Sequence, residues 1–373
     1  MNDEIKTKKI MFSGGGSGGS VTPLLAVAEK LLAADATPAG VKLELLFVGT
    51  YTGPEQKMVA AFNPRIKFIP LISGKFRRYF SFANFLDIFK ISAAFFQSFI
   101  LLTRVKPAIV ISAGSFVSVP LVWAAVLKKI PILIHQQDVR PGLANKLMAP
   151  YARAVTVTFE NSLGDYGAKA VWTGNPLSDV EKYREEISGV KAKYELETDL
   201  PLLFITGGGT GAAALNELVL QALPLLTDFC QLIHLTGKGK LSVAMTEAAA
   251  KNSRYQVREF LPNEEVLSLM AAANVVISRC GIATLTELAA LSKPAILIPM
   301  PDTHQEDNAA VFAMNNAAVV LNQIELTPEK LAAEIRNILN DAGRREKLQN
   351  NINKIIKRGA TENFIGIVWE MIK

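Results

Sequence analysis

Two glycine-rich loops, one near the start of the chain and one beyond its middle, occur in the same sequence context. The first loop, residues 13–20, follows the apolar run 9–12, and the second, residues 207–211, follows the run 201–206. Each loop leads into a segment with helical periodicity. A strand that turns through glycines into a helix leaves unpaired backbone N–H groups at the positive end of the helix dipole, where a phosphate can bind. The pair of loops therefore predicts two halves of the nucleotide-binding type.

Short apolar runs alternate with helical patterns along the chain, which is typical of parallel sheets covered by helices on both faces. The predicted strands lie near 8–13, 42–48, 66–69, 108–112, 131–135, 153–157 and 169–172, and then near 201–206, 230–235, 255–258, 274–278, 295–298 and 317–320. Gly174 and Pro176 separate the two sets. We expect an α/β chain with two Rossmann-like domains whose parallel sheets face a central cleft.

The break at Gly174 predicts an N-terminal domain over 1–174 and a C-terminal domain over 175–357. The remaining segment, 358–373, has apolar side chains at helical spacing and must bury them against another element. We expect this last helix to pack back on the N-terminal domain.

Composition limits the possible classes of protein. The chain has 373 residues, a net charge of +6 and a sequence pI near 9.1, which permits an anionic partner. Cys230 and Cys280 lie in apolar contexts, so we expect buried free thiols, and no Cys or His spacing indicates a metal site. We expect no signal peptide, because the N-terminus enters the first predicted strand almost at once. We also expect no membrane span, because no apolar run reaches the roughly 18 residues that one needs.

Aromatic residues recur at helical spacing between 75 and 106, beside several lysines and arginines. They are Phe82, Phe85, Phe89, Phe96 and Phe99. Rings with a basic rim suit an interfacial membrane contact, but the same stripe suits the core-facing side of a crossover helix. We expect most of the stripe to face the core, and the sequence leaves membrane contact open for its leading part, 76–85.

Two strand ends in the second half carry polar side chains that suit a nucleotide sugar. Gly281 opens a helix whose first turns reach Thr284 and Glu287, and a carboxylate there can accept hydrogen bonds from the vicinal hydroxyls of a ribose. Considered alone, Glu287 is better explained as a solvated surface residue. Gln305 and Asn308 follow the next strand, at the end where ligands bind in open α/β sheets, and suit sugar hydroxyls.

Several segments together resemble the MurG family of glycosyltransferases over essentially the whole chain. They are the first glycine loop continuing through 21–28, the segment 141–146, Gly174-Asn175-Pro176, the second glycine loop ending Ala214-Leu215-Asn216, and Glu287 with Gln305 and Asn308. The resemblance implies a GT-B fold and inverting transfer of GlcNAc from UDP-GlcNAc to lipid I, which gives lipid II in peptidoglycan synthesis. It also implies no cofactor, no metal, no nucleic-acid partner, and peripheral attachment at the cytoplasmic face of the cell membrane.

The resemblance also implies residue roles. Glu287 would hold the ribose, Gln305 the GlcNAc hydroxyls, and the backbone near Phe260 and Leu261 the uracil. The implied donor site comprises Gly209, Leu261, Cys280, Gly281, Ala283, Thr284, Glu287, Gln305 and Asn308. The implied acceptor site comprises Ser17, Gly18, Gly19 and Asp138.

The chain departs from the family pattern at several positions. Where the family usually has Gly-Gly-His, this chain has Ser20 in place of the His. Where the family usually has His-Glu followed two residues later by Asn, this chain has His135-Gln136 and Asp138. An Arg usual after Asn-Pro is missing, and the usual Ser-Gln of the second loop reads Gly209-Thr210. The missing His is a favoured general base, and a serine cannot replace it at neutral pH. The positions considered for catalysis are therefore Asp138, Ser20 and, less favoured than Asp138, His135.

Other functions stay open. A non-catalytic descendant that binds UDP-sugar or lipid would explain the changed loop, and a GT-B transferase for another lipid acceptor would share the donor site. A Rossmann dehydrogenase is disfavoured, because neither glycine loop has the acidic residue after the next strand in a convincing GxGxxG frame. No Asp-X-Asp motif follows a predicted strand on the ligand side, which agrees with leaving-group stabilisation by helix-start amides.

Overall fold

The computed structural model describes residues 6–16, 18–33, 38, 40–74, 82–185, 187–209 and 211–373, with the backbone alone at 6 and 82–88. By their internal contacts these residues form two compact units. The first unit comprises Met1–Ser178 and Lys357–Lys373, and the second comprises Asp179–Ile356.

The first unit is built on a parallel sheet of seven strands. They are β1 Lys6–Ser13, β2 Val41–Thr50, β3 Lys67–Leu71, β4 Ile109–Ser112, β5 Ile132–Gln136, β6 Ala154–Val157 and β7 Ala170–Trp172. Their order in the sheet is β3-β2-β1-β4-β5-β6-β7. The order reverses direction between β1 and β4, so the loops that follow these two strands diverge there. In open α/β sheets ligands bind at this point.

The second unit repeats this design with a parallel sheet of six strands. They are β8 Leu202–Thr206, β9 Gln231–Leu235, β10 Tyr255–Arg258, β11 Val275–Ser278, β12 Ala295–Leu297 and β13 Val319–Val320. Their order is β10-β9-β8-β11-β12-β13, with the reversal between β8 and β11.

Helices cover both sheets. Those of the first unit are α1 Thr22–Leu32, α2 Glu55–Phe62, α3 Phe82–Val105, α4 Ser118–Leu127, α5 Leu143–Met148 and, from the chain end, α15 Ala360–Met371. Those of the second are α6 Lys182–Glu185, α7 Ile187–Lys193, α8 Ala213–Leu226, α9 Val243–Lys251, α10 Asn263–Ala272, α11 Ile282–Leu291, α12 His304–Met314, α13 Pro328–Asn340 and α14 Ala342–Ile355.

The central strands are buried on both faces, and their sequences are predominantly apolar, as is typical of strands in covered parallel sheets. All residues of β4, β5, β8, β9 and β11 are buried. The prediction of two Rossmann-like parallel sheets is confirmed. In the first unit α15 packs beside α1, and its Phe364 and Val368 are fully buried in the core below β1 and β4.

The aromatic stripe of α3 differs from the expectation. Ala94, Ser98 and Leu102 form the buried line of this helix, whereas Phe89 and Phe96 are 63% and 66% exposed. The prediction that most of the stripe faces the core is therefore wrong for these two rings. The sequence could not settle which face is buried, since α3 is apolar nearly all round. The leading residues 76–81 lie outside the described part, as do the side chains of Phe82 and Phe85.

Two further expectations from the sequence concern thiols and membrane spans. Cys230 and Cys280 are buried free thiols, as predicted. Among the described residues, none of the helices has the length and apolar character needed to cross a membrane.

Candidate functional site

In the second unit the loops after β8 and β11 lie on the two sides of the reversal of strand order. The glycine loop after β8 approaches the start of α11, because a Cβ added to Gly208 would lie 4.0 Å from Oγ1 of Thr284. Gly209 is exposed, and a Cβ on it or on Gly281 would meet nothing within 4 Å. Open space therefore adjoins Gly209 in the glycine loop and Gly281 at the start of α11.

The N-terminus of α11 presents free amides to this space. Gly281 is its N-cap, with extended backbone and no side-chain capping bond. Among the described residues no acceptor bonds the backbone N–H groups of Gly281, Ile282, Ala283 or Thr284. Such amides at the positive end of a ten-residue helix are suited to a diphosphate.

Gln305 and Asn308 brace the loop that leads into α11. Oε1 of Gln305 accepts hydrogen bonds from the backbone N–H groups of Cys280 and Met300, each at 3.2 Å. Nδ2 of Asn308 donates to the carbonyl of Cys280 at 3.2 Å, and Asn308 is fully buried. The Cys280 amide is thus occupied within the protein, and the geometry favours a bracing role for Asn308 over the direct sugar contact that the sequence suggested. Gln305 keeps its amide NH₂ group for a ligand.

Glu287 is a buried carboxylate without a compensating charge. It lies in the second turn of α11 and is 7% exposed. Within the described part of the chain its carboxylate makes no hydrogen bond and no ion pair. Burial alone raises the pKa of Glu287 to about 7. A group in this state favours ligand hydroxyls that can donate to it, because an unpartnered buried carboxylate is unstable.

Phe260 and Leu261 follow β10 at the same sheet edge. Phe260 is 55% exposed and lies under the ammonium group of Lys238, 4.1 Å from the ring centroid. Leu261 is half-buried. An exposed ring beside a cation can stack on a planar base.

In the first unit the glycine loop after β1 is closed on itself. Oγ of Ser20 accepts a hydrogen bond from the Gly15 N–H at 3.0 Å and donates to the Gly15 carbonyl at 3.2 Å. The Gly14 N–H bonds the Val48 carbonyl at 3.3 Å. Ser20 is buried, so this placement favours a structural role for its hydroxyl. Gly18 and Gly19 are half-buried, and Ser17 lies outside the described residues.

His135 is fully buried and engaged at both ring nitrogens. Nδ1 lies 2.9 Å from Oγ1 of Thr156, and Nε2 lies 2.9 Å from Oδ1 of Asn175. Its ring meets Phe364 edge-on at 5.7 Å between centroids. Burial lowers the pKa of His135 to about 4, so the ring is neutral at physiological pH. This geometry favours a structural role for His135 over catalysis.

Asp138 lies just beyond β5 and is half-buried. The loop that holds it is fixed by Gln136, whose Nε2 donates to the carbonyls of Asp138 at 2.6 Å and Arg140 at 3.4 Å. Oε1 of Gln136 accepts from Nδ2 of Asn145 at 2.7 Å and from the Tyr166 hydroxyl at 2.9 Å. A glutamate at position 136 could not donate these two bonds, so Gln136 is matched to its surroundings.

Two family models match most of the chain. The Glycosyltransferase family 28 N-terminal domain matches residues 10–157, and the Glycosyltransferase family 28 C-terminal domain matches residues 202–362. The chain belongs to glycosyltransferase family 28. Both glycine loops and the α11 start fall within the matched residues.

Two similar proteins carry the same name. A protein of Clostridium kluyveri is 37% identical over 336 residues, covering 89% of this chain and 91% of its own. One of Clostridium botulinum strain Loch Maree is 36% identical over 365 residues, covering 94% and 99%. Both are named UDP-N-acetylglucosamine--N-acetylmuramyl-(pentapeptide) pyrophosphoryl-undecaprenol N-acetylglucosamine transferase. The resemblance to the MurG family is thereby confirmed.

Solved structures share the fold. The crystal structure of Acinetobacter baumannii MurG superposes with a TM-score of 0.73 at 26% identity, over 97% of this chain and 99% of that one. UDP-GlcNAc 2-epimerase from Neisseria meningitidis, bound to UDP-GlcNAc, superposes at 0.68 with 12% identity, over 98% and 100% of the two chains. The second likeness concerns the fold alone.

Proposed function

We propose that this family 28 member transfers GlcNAc from UDP-GlcNAc to undecaprenyl-pyrophosphoryl-MurNAc-pentapeptide, with inversion at the anomeric carbon. The observation that carries the proposal is the buried, unpartnered carboxylate of Glu287 behind the uncapped start of α11. A nucleoside diphosphate sugar supplies both complements, since its ribose hydroxyls donate to Glu287 and its diphosphate accepts from the free amides.

The geometry of the second unit supports the following donor contacts. The amides of Gly281, Ala283 and Thr284 bind the diphosphate, and Gly209 lets the backbone approach it. The NH₂ group of Gln305 donates to a GlcNAc hydroxyl, while Cys280 and Asn308 hold the loop that presents these groups. The uracil lies near Phe260 and Leu261. When the anomeric C–O bond breaks, the same amides stabilise the negative charge on the departing UDP.

The acceptor contacts belong to the first unit. The N–H groups of Gly14 and Gly15 already bond acceptors within the protein. The acceptor's diphosphate therefore binds the N–H groups of Gly18 and Gly19, next to Ser17 in the sequence. The acceptor hydroxyl attacks the anomeric carbon, and its proton passes to a base. Asp138 is the preferred base because it is a half-buried carboxylate just beyond β5, at the end of the sheet where ligands bind. The hydroxyl of Ser20 and the ring of His135 serve the structural hydrogen bonds described above.

Attachment to the cytoplasmic face of the membrane is part of the proposal, because the acceptor is a lipid. Support comes from exposed apolar side chains on three helices of the first unit. Of these helices, α4 packs against α3, and α5 packs against α4. The exposed side chains are Phe89, Phe96 and Ile100 on α3, Leu127 on α4, Leu147 on α5 and Tyr151 in the following turn. Exposed Lys90 and Arg104 on α3 add positive charge for anionic lipids.

The direct test is incubation of the purified protein with radiolabelled UDP-GlcNAc and the lipid-linked acceptor. We expect label in the lipid product with the wild type and much less with Glu287→Ala when UDP-GlcNAc is not saturating. A matched control is Glu247→Ala, at an exposed acidic residue on α9 in the same unit. Binding of UDP-GlcNAc without transfer to this acceptor contradicts the proposal. It favours the non-catalytic descendant if other lipid acceptors also stay unlabelled, and a different acceptor if one becomes labelled.

A further inference from the structure

A second buried carboxylate, that of Glu55 in the first unit, is unused by the proposed reaction. Glu55 is the first residue of α2 and is 0% exposed. Its Oε1 accepts hydrogen bonds from the N–H of Thr50 at 2.6 Å and from the Thr50 hydroxyl. Its Oε2 accepts from the N–H of Gly16 at 3.2 Å. The start of α2 also favours negative charge at this position.

Three glycines surround the Glu55 side chain so closely that none of them could carry a side chain of its own. A Cβ added to Gly15 would lie 2.5 Å from Oε1 of Glu55, and one on Gly49 would lie 2.5 Å from its Cγ. A Cβ on Gly53 would overlap Oε2. Gly15 lies in the loop after β1, Gly49 at the end of β2 and Gly53 in the loop before α2. The Glu55 carboxylate therefore joins the first glycine loop to β2 and α2.

This carboxylate decides which loop amides remain for a ligand. With Glu55 bound to the Gly16 N–H, the three amides of Gly14, Gly15 and Gly16 all have acceptors inside the protein. Across the described part of the loop, the amides of Gly18 and Gly19 have none. The loop thus holds an internal anion at one end and offers free donors at the other.

We propose that Glu55 is a positioning residue for the acceptor's diphosphate, which it places on the Gly18 and Gly19 amides by fixing the Gly16 end of the loop. The inference rests on the proposed function, because it takes the first unit as the acceptor site. Glu55 itself does not touch the substrate.

The test compares Glu55→Gln with two other variants. Glu55→Gln keeps the shape but sets an NH₂ group against the Gly16 or Thr50 donor, so the loop is released at one point. Thr50→Val removes the hydroxyl bond to Glu55 and the bond that the same hydroxyl accepts from the Gly53 N–H. It keeps the bond from Gly16 to Glu55, so we expect it to lower stability without releasing the glycine loop. Glu44→Gln, at an exposed carboxylate on β2 paired with Lys9, is the charge control.

The readouts are the Kd of a short-chain muramyl-pyrophosphoryl lipid, the Kd of UDP-GlcNAc, and hydrogen exchange of peptides that cover 14–20. We expect Glu55→Gln to raise the Kd of the acceptor lipid about tenfold or more, which is the scale for losing a hydrogen bond to a charged group. In the same variant, hydrogen exchange in the peptides that cover residues 14–20 should become faster, and the Kd of UDP-GlcNAc should stay unchanged. Thr50→Val and Glu44→Gln bind the acceptor lipid as the wild type does.

Equal acceptor affinity in Glu55→Gln and wild type would overturn the inference, and so would an equal loss in Thr50→Val. A wild type that does not bind the acceptor lipid overturns it as well. A wild type that binds the lipid without transferring GlcNAc contradicts the proposed function and leaves this test intact. If Glu55→Gln does not fold, Glu55→Asp keeps the charge but withdraws it from Gly16, and the same loss of acceptor affinity is expected.

Discussion

Nε2 of His135 lies 2.9 Å from Oδ1 of Asn175, so the end of β5 is tied inside the first unit to the Gly-Asn-Pro segment. The ring is buried, and its pKa is lowered to about 4. In the unfolded chain the imidazole titrates near pH 6.5. The neutral buried ring therefore stabilises the fold fully above about pH 6.5, and this contribution of up to about 3 kcal/mol is lost as pH falls towards 4.

Tryptophan fluorescence can measure this effect in the first unit alone. The chain has three tryptophans, Trp123, Trp172 and Trp369, and all belong to that unit. We expect denaturant unfolding followed by this signal to show stability falling between pH 6.5 and 4, and the fall to be smaller in His135→Gln. Parallel pH curves for wild type and variant would contradict the prediction, because carboxylates titrating in this range affect both proteins equally.

The fold was predictable because each strand is a short apolar run between turn residues. The apolar runs ending in Ile111 and Ile277, for example, are too short for a typical helix, and the structure shows both as strands buried on both faces. The order of strands in each sheet was not predictable from the same runs. It depends on which way each crossover returns, and periodicity carries no information on that choice.

The site was predictable only where backbone chemistry defines it. Gly281 before an apolar helix predicts free amides, and the structure has them. The engagement of His135, Asn308 and Ser20 inside the protein depends on side-chain directions that sequence spacing does not fix. Glu55 was missed altogether, since Pro54-Glu55 looks like an ordinary helix start and only the fold brings Gly16 to it.

Glu287 predicts a pH dependence of donor binding. Its pKa is raised to about 7, and it must be ionised to accept hydrogen bonds from both ribose hydroxyls. UDP-GlcNAc should therefore bind more tightly as pH rises from 6 towards 8, and level off above the pKa. Because the diphosphate of UDP-GlcNAc is esterified at both ends, it does not titrate in this range.

Titration calorimetry at several pH values measures the effect. Glu287→Gln keeps the shape and removes the titration, so we expect a weaker affinity that is flat with pH. A loss of roughly 1.5–3 kcal/mol at pH 8 is the scale of bonds to a charged group. A wild type whose affinity does not change between pH 6 and 8 would exclude Glu287 as the ribose contact.

Exposed rings on α3 predict membrane binding. Replacing Phe89 and Phe96 with serine should reduce sedimentation with anionic vesicles, since both rings are largely exposed and can enter the acyl boundary. Wild-type binding should fall as salt rises, because its electrostatic part is screened. Ile324→Ser, at an exposed apolar residue of the second unit, is the matched control. Unchanged sedimentation of the double variant would remove these rings from the membrane contact.

Asp138 is the preferred general base, and its substitution separates chemistry from donor binding. Asp138→Asn keeps the shape and removes the proton acceptor, so turnover should fall by ~10²-fold or more, the usual range for a lost general base. UDP-GlcNAc affinity should stay as it is, because the donor residues belong to the second unit. Asp165→Asn, at an exposed aspartate of the first unit, should turn over normally. Steady-state rates with saturating acceptor decide. An Asp138→Asn protein as fast as the wild type would require another base, whereas inactivity of the wild type itself would favour the binding-only descendant.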